Sequence, residues 1–196
     1  MRNLLLLMCF SMLCLFGCII PESNHVEPDF FLLSYIPQDL NQSKIHGDNS
    51  FYLREIELPQ YLKDPRMVVR PTPHTIEFRE FDRWGEPLED GVARVLALNL
   101  QEQSNDSIHS IFPNRRKDDL RWDLAVSFSC FERISNDRVS VRSKWTAKER
   151  NGLTFSDSFS FEHFLPVSGG ESDELDAYNL AIYKLSKNIL EKLSSD

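Results

Sequence analysis

The chain has 196 residues, with 30 acidic against 22 basic side chains and a net charge of −8. That length is enough for one domain with a substantial hydrophobic core. The acidic balance argues against nucleic-acid binding and against broad contact with anionic lipid, because both need excess positive charge.

A single cation, Arg2, precedes an apolar run that carries no charge from Asn3 to Cys18. A membrane-spanning helix needs about 20 apolar residues, and this run stops at Ile20-Pro21 without a basic flank. A short apolar stretch closing on a small residue before a cysteine reads as a signal peptide; an uncleaved signal anchor is the alternative. Leu15-Phe16-Gly17-Cys18 resembles the bacterial lipobox, with cleavage after Gly17 and acylation of Cys18, although Phe16 is bulkier than the usual residue there. The expected organisation is a lipoprotein signal peptide over 1–17, a lipidated Cys18 and tether over 18–29, and one domain over 30–196. Acyl chains such as palmitate would then anchor the chain without spanning the membrane. The tether, "IIPESNHVEPD", is polar and proline-punctuated, and extends to at most about 35–40 Å. Removing the signal takes away only Arg2, so the charge moves from −8 to −9. Cys9 and Cys14 leave with it and Cys18 carries lipid, which makes Cys130 the one thiol of the domain and rules out an internal disulfide.

Short β-rich runs follow: "FFLLSYI" from Phe30, "FYLREIEL" from Phe51, "MVVRP" from Met67 and "HTIEFREF" from His74, the last with Ile76 and Phe78 on one face. "QDLNQSKIHGDNS" reads as a loop. A helix begins near Glu86, with Pro87 in its opening turn, Glu89 and Asp90 favouring its positive end, and Leu88, Val92, Val95, Leu96 and Leu100 at helical spacing. After a second polar loop, "SNDSIHS", three alternating runs read as an antiparallel meander. Trp122, Leu124, Val126, Phe128 and Cys130 share one parity, as do Val139, Val141 and Trp145, and then Leu153, Phe155, Phe159 and Phe161. Asp157 falls on the apolar parity of the last run, which a bulge or an edge position would explain. The final helix carries Leu175, Tyr178, Ile182, Leu185, Ile189 and Leu193 behind a Ser172-Asp173-Glu174 start. About seven strands and two helices, grouped instead of alternating, predict an α+β domain: a mostly antiparallel sheet with both helices on one face.

Reactive constellations are scarce. The histidines at 25, 46, 74, 109 and 163 are scattered without metal-ligand spacing, and neither a nucleophile elbow nor a glycine-rich phosphate loop occurs. Cys130 sits between phenylalanines on an apolar parity and reads as an inert core thiol. Arg115-Arg116-Lys117 runs straight into Asp118-Asp119, a solvated loop. The densest charge is "EFREFDRWGEPLEDG" from Glu77, with six carboxylates. A hydrolase would need two of them in one pocket with separated pKa values. Strand alternation gives Glu80 and Asp82 as the same-face pair, compensated by Arg79 and Arg83. Glu86, Glu89 and Asp90 fall at a helix start that favours acid anyway. Trp84 is left as the residue needing a reason, and a large aromatic there would pin strand to helix. No catalytic, cofactor or metal residue is expected.

"EFREFDRWGEPLEDGVARVLALNL" resembles the hallmark segment of the ABC-type transport auxiliary lipoproteins, the PqiC-like family. Its aromatic strand, tryptophan and proline-leucine helix opening fall at Phe81, Trp84, Pro87 and Leu88, followed by Gly91 and Leu96. "FFLLSYI", "LPQYLKDPRMVVR", "WDLAVSFSCFE" and "VRSKWTAKERNG" are similar to further family segments, so the likeness runs from Phe31 to Leu193. The resemblance implies a non-catalytic periplasmic component of a lipid-trafficking system, docking to an MCE-domain (PqiB-like) membrane protein, with outer-membrane lipid met through the anchor and a homo-oligomer as an option. Ile19 after the lipidated cysteine implies the outer membrane, and the aromatic motif offers a possible interface. The competing readings are a stand-alone periplasmic lipid- or small-molecule-binding lipoprotein and a carboxylate hydrolase built on Glu80 and Asp82.

Overall fold

A computed structural model describes residues 26–37, 44–45, 50–104, 109–114, 120–135 and 137–194. In chain order its elements are β1 (Asp29–Phe31), β2 (Phe51–Leu53), a 3-10 turn (Gln60–Lys63), β3 (Arg66–Thr72), β4 (Thr75–Trp84), α1 (Leu88–Gln103), β5 (His109–Ile111), β6 (Trp122–Ile134), β7 (Arg138–Glu149), β8 (Thr154–Phe164) and α2 (Glu171–Leu193). The eight strands form one mixed sheet, and the architecture is the expected α+β class.

The long meander β6–β7–β8 is its frame. Full antiparallel ladders join β6 to β7 and β7 to β8. The turns follow from local chemistry: Ser135 in the first adopts a positive φ of 52° and Gly152 in the second one of 99°, a conformation glycine tolerates best. The other edge of β6 is shared. β2 pairs parallel with its start, Glu57 bridges to Ser127 in its middle, and β3 pairs parallel with its end. β5 extends β2, while β4 and then β1 extend β3.

Four details depart from the alternation expected of the sequence. "FFLLSYI" contributes only Phe30 and Phe31 to the sheet. The rest crosses the helix pair, where Asn179 Oδ1 accepts from Ser34 N at 2.9 Å, Asn99 Oδ1 from Ile36 N at 3.3 Å, and Arg94 donates to the Leu33 carbonyl at 3.0 Å. Buried side-chain amides thus satisfy a backbone that no strand pairs. "FYLREIEL" likewise leaves regular pairing after Leu53, and His109-Ser110, expected in a loop, begin β5.

The third departure has the widest consequence. Phe128 faces Ser143 and Cys130 faces Arg142, so Ser129 is an extra, bulged residue. One unpaired residue reverses the parity of everything after it. Phe131 therefore joins the helix-side core opposite Val141, whereas Cys130 and Glu132 turn to the other face, opposite Arg142 and Ser140. The placement of Cys130 on the apolar parity is corrected accordingly. Finally, β8 pairs only with β7 among the described residues, and its Asp157 carboxylate meets Lys192 of α2 at 3.5 Å. The edge position accounts for an acid on the apolar side.

The core lies between the sheet and the helices. Val92, Val95, Leu96 and Leu100 from α1, and Tyr178, Ile182, Leu185 and Ile189 from α2, pack with Leu124, Val126, Phe131, Val141 and Trp145. α2 opens at Gly170, whose N–H donates to the Asp173 carboxylate at 3.0 Å. The Trp145 indole donates to Asn188 Oδ1 at 3.0 Å, fixing α2 over β7.

Candidate functional site

The acidic joint between β4 and α1 is where the sequence concentrates its unusual residues. β4 is not a regular strand there. Arg66 faces Arg83 and Val68 faces Phe78, so five steps along β4 oppose two along β3. The distortion breaks the alternation over residues 79–82 and brings Arg79 within 3.2 Å of Asp82. Glu80 instead points to Arg66, at 3.2 Å, and Arg83, at 3.7 Å, with its side chain well exposed. The Glu80/Asp82 same-face pair therefore does not form, and the two acids serve separate ion pairs, Glu80 at the surface and Asp82 part-buried.

Arg79 continues inward. Its guanidinium reaches Glu174 of α2 at 3.0 Å, Arg133 approaches the same carboxylate oxygen at 3.4 Å, and the Tyr178 hydroxyl donates to the other at 3.1 Å. Glu174 is fully buried. Burial pushes its carboxyl above the usual glutamate range, while Arg79, Tyr178 and Arg133 pull it back. The Tyr178 phenol is raised as well, first by burial and then by Glu174. Sequence reading named Glu174 only as part of the Ser172-Asp173-Glu174 helix start. The signal for its burial was present: Glu174, Tyr178 and Leu185 share one stripe of the helix. This cluster ties β4, β6 and α2 together.

Trp84 sits beside it. Its indole meets Tyr178 edge-on at 5.9 Å and lies 6.5 Å from Phe131, which stacks on Tyr178 at 4.5 Å and receives Phe128 edge-on at 5.7 Å. The Trp84 N–H donates to the Pro65 carbonyl at 2.7 Å, and Gly85 N–H to Phe31 O at 2.8 Å. The next step is tight, since a Cβ on Gly85 would stand 3.2 Å from Leu32 Cδ2. The Pro87 carbonyl accepts from Asp90 and Gly91, opening α1 without a side-chain cap. Of the four motif residues, Trp84 and Leu88 are buried and Phe81 and Pro87 are exposed. Phe81 is 50% exposed, on the strand that pairs with β1, whose Phe30 is 65% exposed.

Cys130 is buried on the far face, its thiol 3.4 Å from the Ser140 carbonyl, and burial raises its pKa. Among the described residues no three His, Cys, Asp or Glu side chains gather to hold a metal ion. Gly17 and Cys18 lie outside the described residues, as does the Arg115–Asp119 charge run. No described helix is long and apolar enough to cross a membrane.

These features define an α+β domain whose distinctive aromatic-acidic joint is built into its packing. The chain belongs to the family of ABC-type transport auxiliary lipoprotein components, which matches residues 31–190. Among solved structures it is similar to a crystal structure of an uncharacterized protein, at TM-score 0.72 and 15% identity, covering 86% of this chain and 99% of that one. It is also similar to protein XCC0632 from Xanthomonas campestris, at TM-score 0.64 and 12% identity, covering 84% and 93%. At these identities the likeness is one of fold. No curated protein sequence matches the chain.

Proposed function

We propose that this protein is a non-catalytic accessory subunit of an MCE/ABC-type intermembrane lipid transport system. It is anchored through Cys18 to the periplasmic face of the outer membrane and docks to the MCE-domain membrane protein. The observation that carries this reading is the family match along residues 31–190. The lipobox-like Leu15–Cys18 and the following Ile19 support the anchor and its membrane.

The docking face is the β1–β4 edge. Phe30 and Phe81 are exposed there, together with Val26 and Leu32. Exposed apolar clusters of this kind mark contact surfaces, and aromatics supply large contact area at low entropic cost. The chain between Cys18 and Val26 spans at most about 30 Å, so this edge is held within that distance of the anchored membrane.

The test is affinity purification of the full-length lipidated chain from envelope membranes, with the double variant Phe30→Asp/Phe81→Asp alongside. The wild type is expected to recover an MCE-domain protein, and the variant to lose it while keeping its unfolding midpoint. Failure of the wild type to recover any MCE-domain or ABC component would contradict the proposal.

A further inference from the structure

The sheet face turned away from the helices holds a polar cleft of about 480 Å³. It forms where the β3–β4 and β6–β7 hairpins meet: Pro71–Pro73 line one side and Ser135 the other. The Ser129 bulge delivers Glu132 to this face, directly opposite Ser140, whose partner on β8 is Glu162. Arg138 and Arg142 flank Ser140 two positions away on β7, about 7 Å to either side. Arg70 reaches across from β3 to donate to Glu132 Oε1.

Two atoms in the wall of this cleft are incomplete. Glu132 and Ser140 are each 1% exposed; Arg70, the Cys130 thiol and the Tyr61 phenol gather at the Glu132 carboxylate, yet among the described residues its Oε2 and the Ser140 hydroxyl lack a partner at hydrogen-bond distance. Buried polar atoms are nearly always paired, so unpaired ones lining a cleft call for a ligand. A carboxylate oxygen only accepts, and its best complement is a cationic donor. The guanidiniums ask for the opposite charge. Arg138 shares Glu162 through a 3.4 Å contact in which both side chains are more than a third exposed, and Arg142 makes no ion pair among the described residues. Lining charges of three arginines and two glutamates leave the cleft net positive on a chain of net charge −8.

We propose that this cleft binds a short zwitterion bearing an ammonium and a phosphate, the chemistry of a phosphoethanolamine group. The ammonium sits on Glu132 and Ser140, and the phosphate lies against Arg138 and Arg142. The group belongs either to a lipid headgroup or to a free ester. Neither source requires the docking partner, so this site is tested apart from the docking reading.

The experiment is isothermal titration calorimetry on the full-length protein in detergent, with glycerophosphoethanolamine as probe and glycerophosphate and ethanolamine as half-ligand controls. Saturable binding of the probe is expected, about tenfold or more tighter than either half, since each half forfeits a charge-assisted contact. Arg142→Glu, an exposed substitution, is expected to weaken the probe by a similar factor. Glu132→Gln should abolish the preference over glycerophosphate. Ser140→Ala, which keeps the Arg70–Glu132 pair, supplies the same readout where Glu132→Gln does not fold. Phosphatidylethanolamine in mixed micelles competing at lower concentration than the soluble probe assigns the site to a lipid headgroup; equal or weaker competition assigns it to the free ester. Absence of saturable probe binding would overturn the proposal. So would glycerophosphate binding as tightly as the probe and unaffected by Arg142→Glu.

Discussion

Phe131 and Tyr178 lie face to face, with ring centroids 4.5 Å apart and planes within 10° of parallel. This stack exists because Ser129 bulges out of β6 and rotates Phe131 to the helix side. Trp84 meets Tyr178 edge-on and the buried Glu174 accepts from the Tyr178 hydroxyl, so one irregular residue in a strand sets the joint through which β4, β6 and α2 hold each other.

Trp84 is therefore a packing residue. Trp84→Ala is expected to lower stability by about 3–5 kcal/mol, as large-to-small changes at buried aromatics do. Phe81→Ala, at an exposed position, is expected to change it by no more than about 0.5 kcal/mol. Urea unfolding of both variants checks the contrast. Equal midpoints for Trp84→Ala and wild type would move Trp84 to the surface.

Acid sensitivity has a definite sign at Asp64. Its hydrogen bonds from Arg66, side chain first and then backbone, lower its pKa from 3.8 to about 2. A depressed folded pKa contributes stability that is present above the ordinary value and lost as pH falls through the folded one. The wild type should thus lose stability relative to Asp64→Asn between about pH 4 and pH 2, and the two should run parallel above that window. Thermal midpoints measured across it decide the matter; parallel curves throughout would show that Asp64 is not coupled to Arg66 in solution.

Cys130 should be inert. It is buried, its pKa is raised, and reaction requires an accessible thiolate. A maleimide reagent at neutral pH is expected to leave the native domain unlabelled at this position and to modify it fully in denaturant. Rapid native labelling would mean that the outer face opens.

Membrane attachment rests on one sulfur. Cys18→Ser is expected to abolish incorporation of labelled palmitate into the chain, since the acyl chains are carried by that sulfur. Undiminished labelling of the variant would contradict Cys18 as the lipidated residue.

The parts of this fold legible in the sequence are those with long periodic signals. Trp122 to Phe128, Val139 to Trp145 and the Leu175–Leu193 helix all follow one period over many residues, so each announces its buried face. β1, β2 and β5 hold three residues each and pair in parallel, which is too short for alternation to register. The bulge at Ser129 and the distortion over residues 79–82 were invisible because alternation assumes regular pairing, and both errors, at Cys130 and at Glu80/Asp82, came from extrapolating it. Trp84 was legible as a strand-to-helix pin. Its partners were not, since Tyr178 and Phe131 come from elements that only the tertiary fold brings together. The polar cleft shares that origin, because Arg70, Glu132 and Arg142 stand on three different strands.

The central claim is that the β1–β4 edge docks the chain onto an MCE-domain protein at the membrane. Its most direct test places a photo-crosslinking amino acid at Phe81 in the full-length lipidated chain and irradiates intact envelopes. A crosslink to an MCE-domain protein, absent when the same probe stands at exposed Lys148 on β7, three strands away from β4, is the predicted result. No such crosslink from Phe81, or an equal one from Lys148, would contradict it.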